Sequence, residues 1–251
     1  MKKLIAMAAV AMTMMMASCS GDDSESTDNP SENGPLLTKM IETFDDGSYT
    51  TTYHYNGNKL VSITGESGGG TELTYTSDKL TKMESFSDDG ELQIKEIFQY
   101  HPDGKLAANI SSAYFGFELP TSKTTYTHNS NGTISYEVYL GDETSQTELT
   151  ETGTIIMQNG NVVSVNSESD GEEYIDTFTY DNKNAPLKNI HAYDVIVLTS
   201  HLGVNNVLTA HYGEEDRQSS STYTYNADGY PITSTDTEDG EFDGDYEYFY
   251  N

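Results

Sequence analysis

Basic residues are scarce. The 251-residue chain has 12 Lys and Arg against 41 Asp and Glu, a formal net charge of −29, and its one arginine is Arg217. Phosphate backbones are held by clustered Lys and Arg, so nucleic acid is not expected as a partner. Cysteine occurs once, at Cys19, which excludes an internal disulfide and a cysteine-ligated metal centre. There is no tryptophan, no G-x-S-x-G nucleophile elbow and no phosphate-binding glycine loop, so an enzymatic reading has no motif behind it. The longest apolar run, Leu4 to Ala17, is broken by Thr13 and is too short to cross a bilayer as a helix. What the chain does have is 21 Gly, 19 Tyr and an excess of Thr and Ser, a composition of strands and turns rather than helices.

The N-terminus reads as a targeting segment. Lys2 and Lys3 precede the apolar run, which ends in Met16-Ala17-Ser18-Cys19. This ending resembles the lipobox of bacterial lipoproteins, which implies cleavage before Cys19 and acylation of that residue. Residues 1–18 are then a signal peptide. Cleavage leaves 251 − 18 = 233 residues and removes two lysines but no acid, so the mature charge is 10 − 41 = −31. Such a chain does not lie on an anionic membrane surface, and the membrane is expected to hold it through the acyl anchor alone. Residues 19–36 are almost entirely polar and acidic and are expected to form a disordered tether. A flexible chain of that length reaches roughly 20–25 Å. Asp22 and Asp23, directly after the cysteine, resemble the export signal of surface lipoproteins in some gut Gram-negative bacteria. That implies the outer face of the outer membrane, with the periplasmic face as the alternative.

From Leu37 onward one unit recurs. An alternating segment ends in an aromatic, a turn of Asn, Asp or Gly follows, and an aliphatic residue opens the next segment, as in TTYHYNGNKLVSI (Thr51 to Ile63) and IFQYHPDGKLAANI (Ile97 to Ile110). Comparable positions are Tyr55, Tyr75, Tyr100, His128, Met157, Tyr180 and Tyr225, spaced by 20, 25, 28, 29, 23 and 45 residues. Tyr53 with Tyr55, Phe98 with Tyr100, Phe178 with Tyr180 and Tyr223 with Tyr225 are i, i+2 pairs that share one face of a strand. Each unit is therefore a β-hairpin, and no single hairpin can bury its aromatic face. About sixteen strand candidates follow. The last, Asp245 to Asn251, places Tyr246, Tyr248 and Tyr250 on one face and is expected to close the sheet if it meets an early strand near Tyr49 to Tyr55. The fold expected over residues 37–251 is a single all-β domain. It is a many-stranded antiparallel meander of hairpins, curled into a barrel-like or closed sheet with its aromatics inside. Residues 185–203 break the pattern and read as a short helix or long loop closing one end.

The Tyr-Asn/Asp…Gly…Leu/Ile units resemble the tyrosine–aspartate repeats of large bacterial surface proteins. DNKNAPLKNI followed by GVNNVLT resembles, more narrowly, a lipoprotein family of gut bacteria, a domain of unknown function with a porin-like fold. Asn184, Pro186, Asn189, Asn205 and Asn206 fall on that family's Asn-Pro and Asn-Asn motifs. The resemblance implies a barrel-like meander and no catalytic residues. A membrane-inserted barrel is disfavoured, because the strand face opposite the aromatics carries residues such as Lys95, Gln99, Thr177 and Thr224.

Few candidate sites emerge. Asp236, Glu238, Asp239, Asp243 and Asp245 form the densest carboxylate cluster and could offer oxygens to Ca²⁺, although their spacing is not that of an EF-hand. His191, His201 and His211 recur every ten residues, wider than zinc ligands within one element. Aromatics outside the repeat register, Tyr114, Phe115, Phe117, Tyr139 and Tyr193, are the candidates for stacking on a ligand such as a glycan. The function expected is a non-enzymatic, outer-membrane-anchored binding or envelope-interaction lipoprotein. The alternatives are a structural protein that binds an envelope protein partner and, more remotely, a carboxylate-dependent glycoside hydrolase.

Overall fold

The computed structural model describes residues 34–116 and 119–251; Cys19, the expected signal peptide, most of the expected tether and Phe117 lie outside them. Sixteen strands form one antiparallel barrel that closes on itself. They are β1 (Leu37–Phe44), β2 (Gly47–Asn56), β3 (Lys59–Gly65), β4 (Gly70–Thr76), β5 (Lys79–Phe86), β6 (Leu92–Tyr100), β7 (Leu106–Ala113) and β8 (Thr121–His128). The second half runs β9 (Ile134–Gly141), β10 (Gln146–Gln158), β11 (Asn161–Ser169), β12 (Glu172–Tyr180), β13 (Val207–Tyr212), β14 (Arg217–Tyr225), β15 (Pro231–Glu238) and β16 (Glu241–Tyr250). Each strand pairs with its sequence neighbours, and β16 pairs with β1. The expected closed meander is therefore the observed fold, with its closure one strand earlier than the sequence suggested. The tyrosines of β16 meet β1, with Tyr248 opposite Met40 and Tyr246 opposite Glu42, while Tyr49 and Tyr55 belong to β2 on the far side of β1.

The repeat has a physical explanation. In six of the seven units the ladder slips by one residue immediately before the marked position: before Tyr55, Tyr75, Tyr100, Met157, Tyr180 and Tyr225. The extra residue lies on the strand that follows, as Val61 does opposite His54 and Tyr55, so that strand bends and brings Leu60 and Ile63 to the same buried face. The marked side chain ties its own strand to the neighbour with which it shares no turn at that end. The Tyr55 hydroxyl donates to the Leu37 carbonyl at 2.6 Å, Tyr100 to Leu80 at 2.5 Å, and Tyr180 to Val162 at 2.7 Å. His128 makes the same tie to Leu106 at 2.9 Å through its ring nitrogen. The accepting residues are the aliphatics that open each unit, and all are buried: Leu37, Leu80, Leu106 and Val162 are 4% exposed or less. Tyrosine and leucine thus recur together because one donates to the other's backbone while both fill the interior.

A barrel this size needs a filler. Sixteen strands about 4.8 Å apart and tilted about 40° have a perimeter of roughly 100 Å, so a round section is roughly 30 Å across, wider than strand side chains alone can fill. The connection between β12 and β13, residues 181–206, supplies the filler at one end. It contains the one helix among the described residues, α1 (Tyr193–Thr199). Ala185, Ile190, Tyr193, Val195, Val197 and Leu198 from this stopper join the same buried core as Tyr53, Leu73, Phe98 and Phe178 from the wall. The segment holds the short helix that was one of its two expected forms. Pro186 lies ahead of it in a turn, and Ala192 in left-handed backbone (φ 64°) begins it.

The termini meet at the stoppered end. Leu36 N–H donates to the Asn251 side chain at 2.9 Å, and Asn251 N–H donates back to Leu36 at 3.1 Å. Asn189 bonds the Pro35 carbonyl at 2.7 Å. The last residues of the expected tether, Gly34 to Leu36, are therefore part of the barrel, and Leu36 is 3% exposed. At the opposite end, the mouth, the connections are short turns of two to seven residues.

Candidate functional site

Three regions could carry function: the stopper, the inner wall toward the mouth, and the outer wall.

The stopper is fixed by the asparagines of its Asn-Pro and Asn-Asn stretches. Asn184 binds the β14–β15 turn, with its N–H on Gly229 at 2.9 Å and its amide on Asp228 at 3.0 Å. Asn189 donates to Pro35 and is also bonded to the Tyr230 hydroxyl at 2.8 Å. Asn205 and Asn161 bond each other at 2.9 Å. The Asp181 carboxylate accepts from the Asn206 N–H at 3.1 Å, from its amide at 3.0 Å, and from the Tyr225 hydroxyl. The His191 ring reaches the Asp78 carbonyl of the β4–β5 turn. At Gly203 an added Cβ would lie 2.3 Å from Asn161, so only glycine lets the chain pass there. These residues build architecture.

The inner wall changes character along its length. Near the stopper it is aromatic and aliphatic. Toward the mouth the inward ladder positions become Thr, Ser and carboxylates: Glu42, Glu96, Glu151, Asp176 and Asp236, on five different strands. Most inward side chains in this half are partly exposed, among them Glu42, Ser85, Ser111, Glu151, Ser167 and Tyr174. In a closed barrel that exposure opens onto the lumen. Burial raises the pKa of Glu42 and Glu151. Burial also raises that of Glu96, and a hydrogen bond from Asn109 partly offsets the shift. Asp236 is pushed up to about 6, first by burial and then by nearby Asp243 and Asp245, and one of its oxygens is buried without a partner. Tyr136 donates to Glu151 at 2.5 Å.

The outer wall is polar around the barrel. Mid-strand outward positions include Thr52, Thr74, Lys95, Thr125, Glu137, Asn166, Thr177 and Thr222. Hydroxyls pair across neighbouring strands, as in Thr179 with Thr209 and Thr224 with Thr233, both at 2.6 Å. Exposed apolar residues such as Ile97, Leu149 and Ile175 stand on separate strands. A lipid-facing barrel wall is a continuous apolar band, and a lysine at its middle costs about 2–4 kcal/mol. The outward residues of this wall do not form such a band. No helix among the described residues is long and apolar enough to cross a membrane.

Two depressions indent this wall. One, of about 580 Å³, crosses β12 to β15 and is lined by Thr177, Thr209, His211, Gln218, Ser220 and Thr237 among others. The other, of about 370 Å³, lies over β8 to β10 and is lined by Lys123, Thr125, Glu137, Tyr139, Gln146 and Thr147.

The structure separates the calcium candidates. Asp236 points inward, Glu238 binds Arg217 at 2.7 Å, and Asp239 caps the N–H of Gln218 at 2.9 Å in the β15–β16 turn. Asp245 accepts from Thr235 on the outer wall at 2.5 Å, and Asp243 is exposed at a bulge. Asp236 and Glu238 share one face of β15, where Glu238 is engaged by Arg217, while Asp245 lies on the opposite face, and no metal-ligating group of three forms among the described residues. The histidines also stay apart: His191 is in the stopper, His211 is on the outer wall beside Asp216 at 3.3 Å, and burial lowers the pKa of His201. Of the aromatic candidates, Tyr193 belongs to the core. It is 8% exposed and its hydroxyl donates to Gly203 at 2.8 Å, because the helix turns it inward. Tyr114 and Phe115 sit at the mouth rim, where Tyr114 donates to Glu143 at 2.6 Å and Phe115 is 48% exposed. Tyr139 stands on the outer wall just before the same β9–β10 turn. The sequence pointed to the rim aromatics through their departure from the repeat. It gave no signal for Lys123 or Gln146, which are ordinary strand residues until pairing brings them to Tyr139.

No protein-family model matches the chain, and none of the curated proteins does. Among solved structures, a porin-like protein from Bacteroides uniformis ATCC 8492 is similar over 86% of this chain and 98% of its own length, at 15% identity and a TM-score of 0.52. A porin-like protein from Bacteroides vulgatus ATCC 8482 aligns over 86% of this chain and 99% of its own, at 11% identity and a TM-score of 0.39. The first likeness establishes a shared architecture. The chain is an antiparallel closed barrel with one end stoppered.

Proposed function

We propose that this protein is a non-enzymatic barrel of the bacterial outer envelope, anchored through acylated Cys19, and that it works as a binding module rather than a pore. The observation that carries the reading is the combination of a polar outer wall with a bonded stopper. A pore needs an apolar belt and a through-channel, and the outward residues and the segment 181–206 oppose both. The porin-like likeness supports an envelope setting. The geometry of the termini supports an orientation: the tether leaves from the stoppered end, so the anchor holds that end toward the membrane and the mouth faces away. The reading of an assembly protein would require a flat apolar patch, and the exposed apolar side chains are dispersed. The test is the Cys19→Ala full chain. It should leave the membrane fraction and purify without detergent as a folded β protein. Retention in the membrane, or folding only in detergent, would refute the reading.

A further inference from the structure

The depression over β8 to β10 has features that the rest of the wall lacks. Two register shifts interrupt the β9–β10 ladder beside it, between Gln146 and Glu148 and between Leu149 and Glu151. Lys123 and Tyr139 are directly cross-strand, as are Thr125 and Glu137. The Tyr139 hydroxyl donates to Glu137 at 2.7 Å, and both residues line the depression. Lys123 is the one lysine among the described residues with no ion pair, hydrogen bond or ring contact; the other eight are engaged at Asp78, Glu84 or Asp103, over an aromatic ring, or on Asn184. In a chain of net charge −29, an uncommitted cation beside an oriented ring and a carboxylate acceptor is a distinctive set.

Resting on the binding-module reading above, we propose that this depression binds a neutral saccharide, with a sugar ring stacked on Tyr139 and its hydroxyls bracketed by Lys123 as donor and Glu137 as acceptor. A pyranose presents a C–H face to an aromatic ring and hydroxyls at its edge. An aromatic platform with donors and acceptors on either side meets both. The volume of about 370 Å³ falls within the range of small-ligand sites, about 300–1,000 Å³. Glu137 in the lining, and Asp142 and Glu143 in the adjoining turn, disfavour an anionic ligand and set the preference for an uncharged one.

The experiment uses the Cys19→Ala full chain with maltopentaose, cellopentaose and mannopentaose as neutral probes and a hyaluronan hexasaccharide as the acidic one, followed by calorimetry and saturation-transfer NMR. At least one neutral oligosaccharide should bind. Tyr139→Ala should weaken it about tenfold or more, while Tyr139→Phe, which keeps the ring, should stay within about threefold. Unfolding curves of both variants should match the parent, since the site is at the surface. Binding that survives Tyr139→Ala, binding of hyaluronan alone, or no binding of any probe would each overturn the proposal. None of these outcomes touches the anchored-barrel reading, which is decided by fractionation and detergent-free folding.

Discussion

The tyrosine ties make a paired prediction. At Tyr180 the hydroxyl donates to the buried Val162 carbonyl at 2.7 Å, whereas at Tyr75 the corresponding hydroxyl is buried with no partner. Tyr180→Phe removes one hydrogen bond and strands the carbonyl of a residue that is 0% exposed. A typical intramolecular bond is worth about 0.5–1.5 kcal/mol, and an unsatisfied buried acceptor adds to the loss, so the expected destabilisation is about 1–2 kcal/mol. Tyr75→Phe removes a hydroxyl that carries a desolvation penalty without compensation. It should be neutral or stabilise by up to about 1 kcal/mol. The same chemical change thus has opposite expected signs at two positions that the sequence repeat makes equivalent. Denaturant unfolding of the Cys19→Ala parent and the two variants, followed by far-UV circular dichroism at equal slopes, measures both. Equal destabilisation at the two positions would refute the tie as the reason for the tyrosine. As an upper bound on the site, Tyr180→Ala and Tyr100→Ala should each cost about 3–5 kcal/mol, as buried aromatic deletions do.

Asp236 has a folded-state pKa raised to about 6 from 3.8, so its contribution disfavours folding once the pH exceeds that window. Asp236→Asn should therefore raise the melting temperature at pH 7–8, by an amount worth up to about 3 kcal/mol. The gain should vanish as the pH falls below 3.8, where the wild-type carboxyl is protonated in both states. Asp181→Ala removes the acceptor shared by Asn206 and Tyr225. It should loosen the stopper, read as faster hydrogen exchange across residues 185–204 with less change in β7 to β9. Deleting Tyr246 to Asn251 removes most of the β1–β16 seam and the Leu36–Asn251 bonds, and should abolish cooperative melting. A truncated chain that melts near the parent temperature would contradict closure through this strand.

The sequence carried much of the fold because the unit is short and repeated. Alternation in Tyr53-His54-Tyr55 or Phe98-Gln99-Tyr100 states which face is inward, and Asn-Gly or Asp-Gly marks many of the reversals. What it concealed was long-range. The bulges opposite Tyr55 and Tyr100 leave no mark in composition, and each tie reaches a carbonyl at the open end of its hairpin, as from Tyr180 to Val162. Closure through Leu37–Phe44 was hidden because LTKMIETF alternates weakly, with Met40 and Glu42 sharing the inward face. The tail acids read as one cluster in sequence because alternation was not applied to them; Asp236 points inward while Asp245 points outward. The rim aromatics were legible by their departure from the repeat. Lys123 was not, because its freedom from ion pairs is a property of the folded wall.

The central claim is that the wall faces water while Cys19 holds the barrel to the membrane. The most direct measurement introduces one cysteine at the centre of the outer wall, Thr74→Cys or Thr224→Cys, in the otherwise native chain. Cys19 is the only other thiol, and the proposed acylation would block it. Intact membranes are then treated with a membrane-impermeant maleimide. Both positions should label as fast as a cysteine placed in the exposed β2–β3 turn at Gly57. Protection of both from the aqueous reagent, together with labelling by a lipid-soluble maleimide, would show a lipid-facing wall and contradict the account.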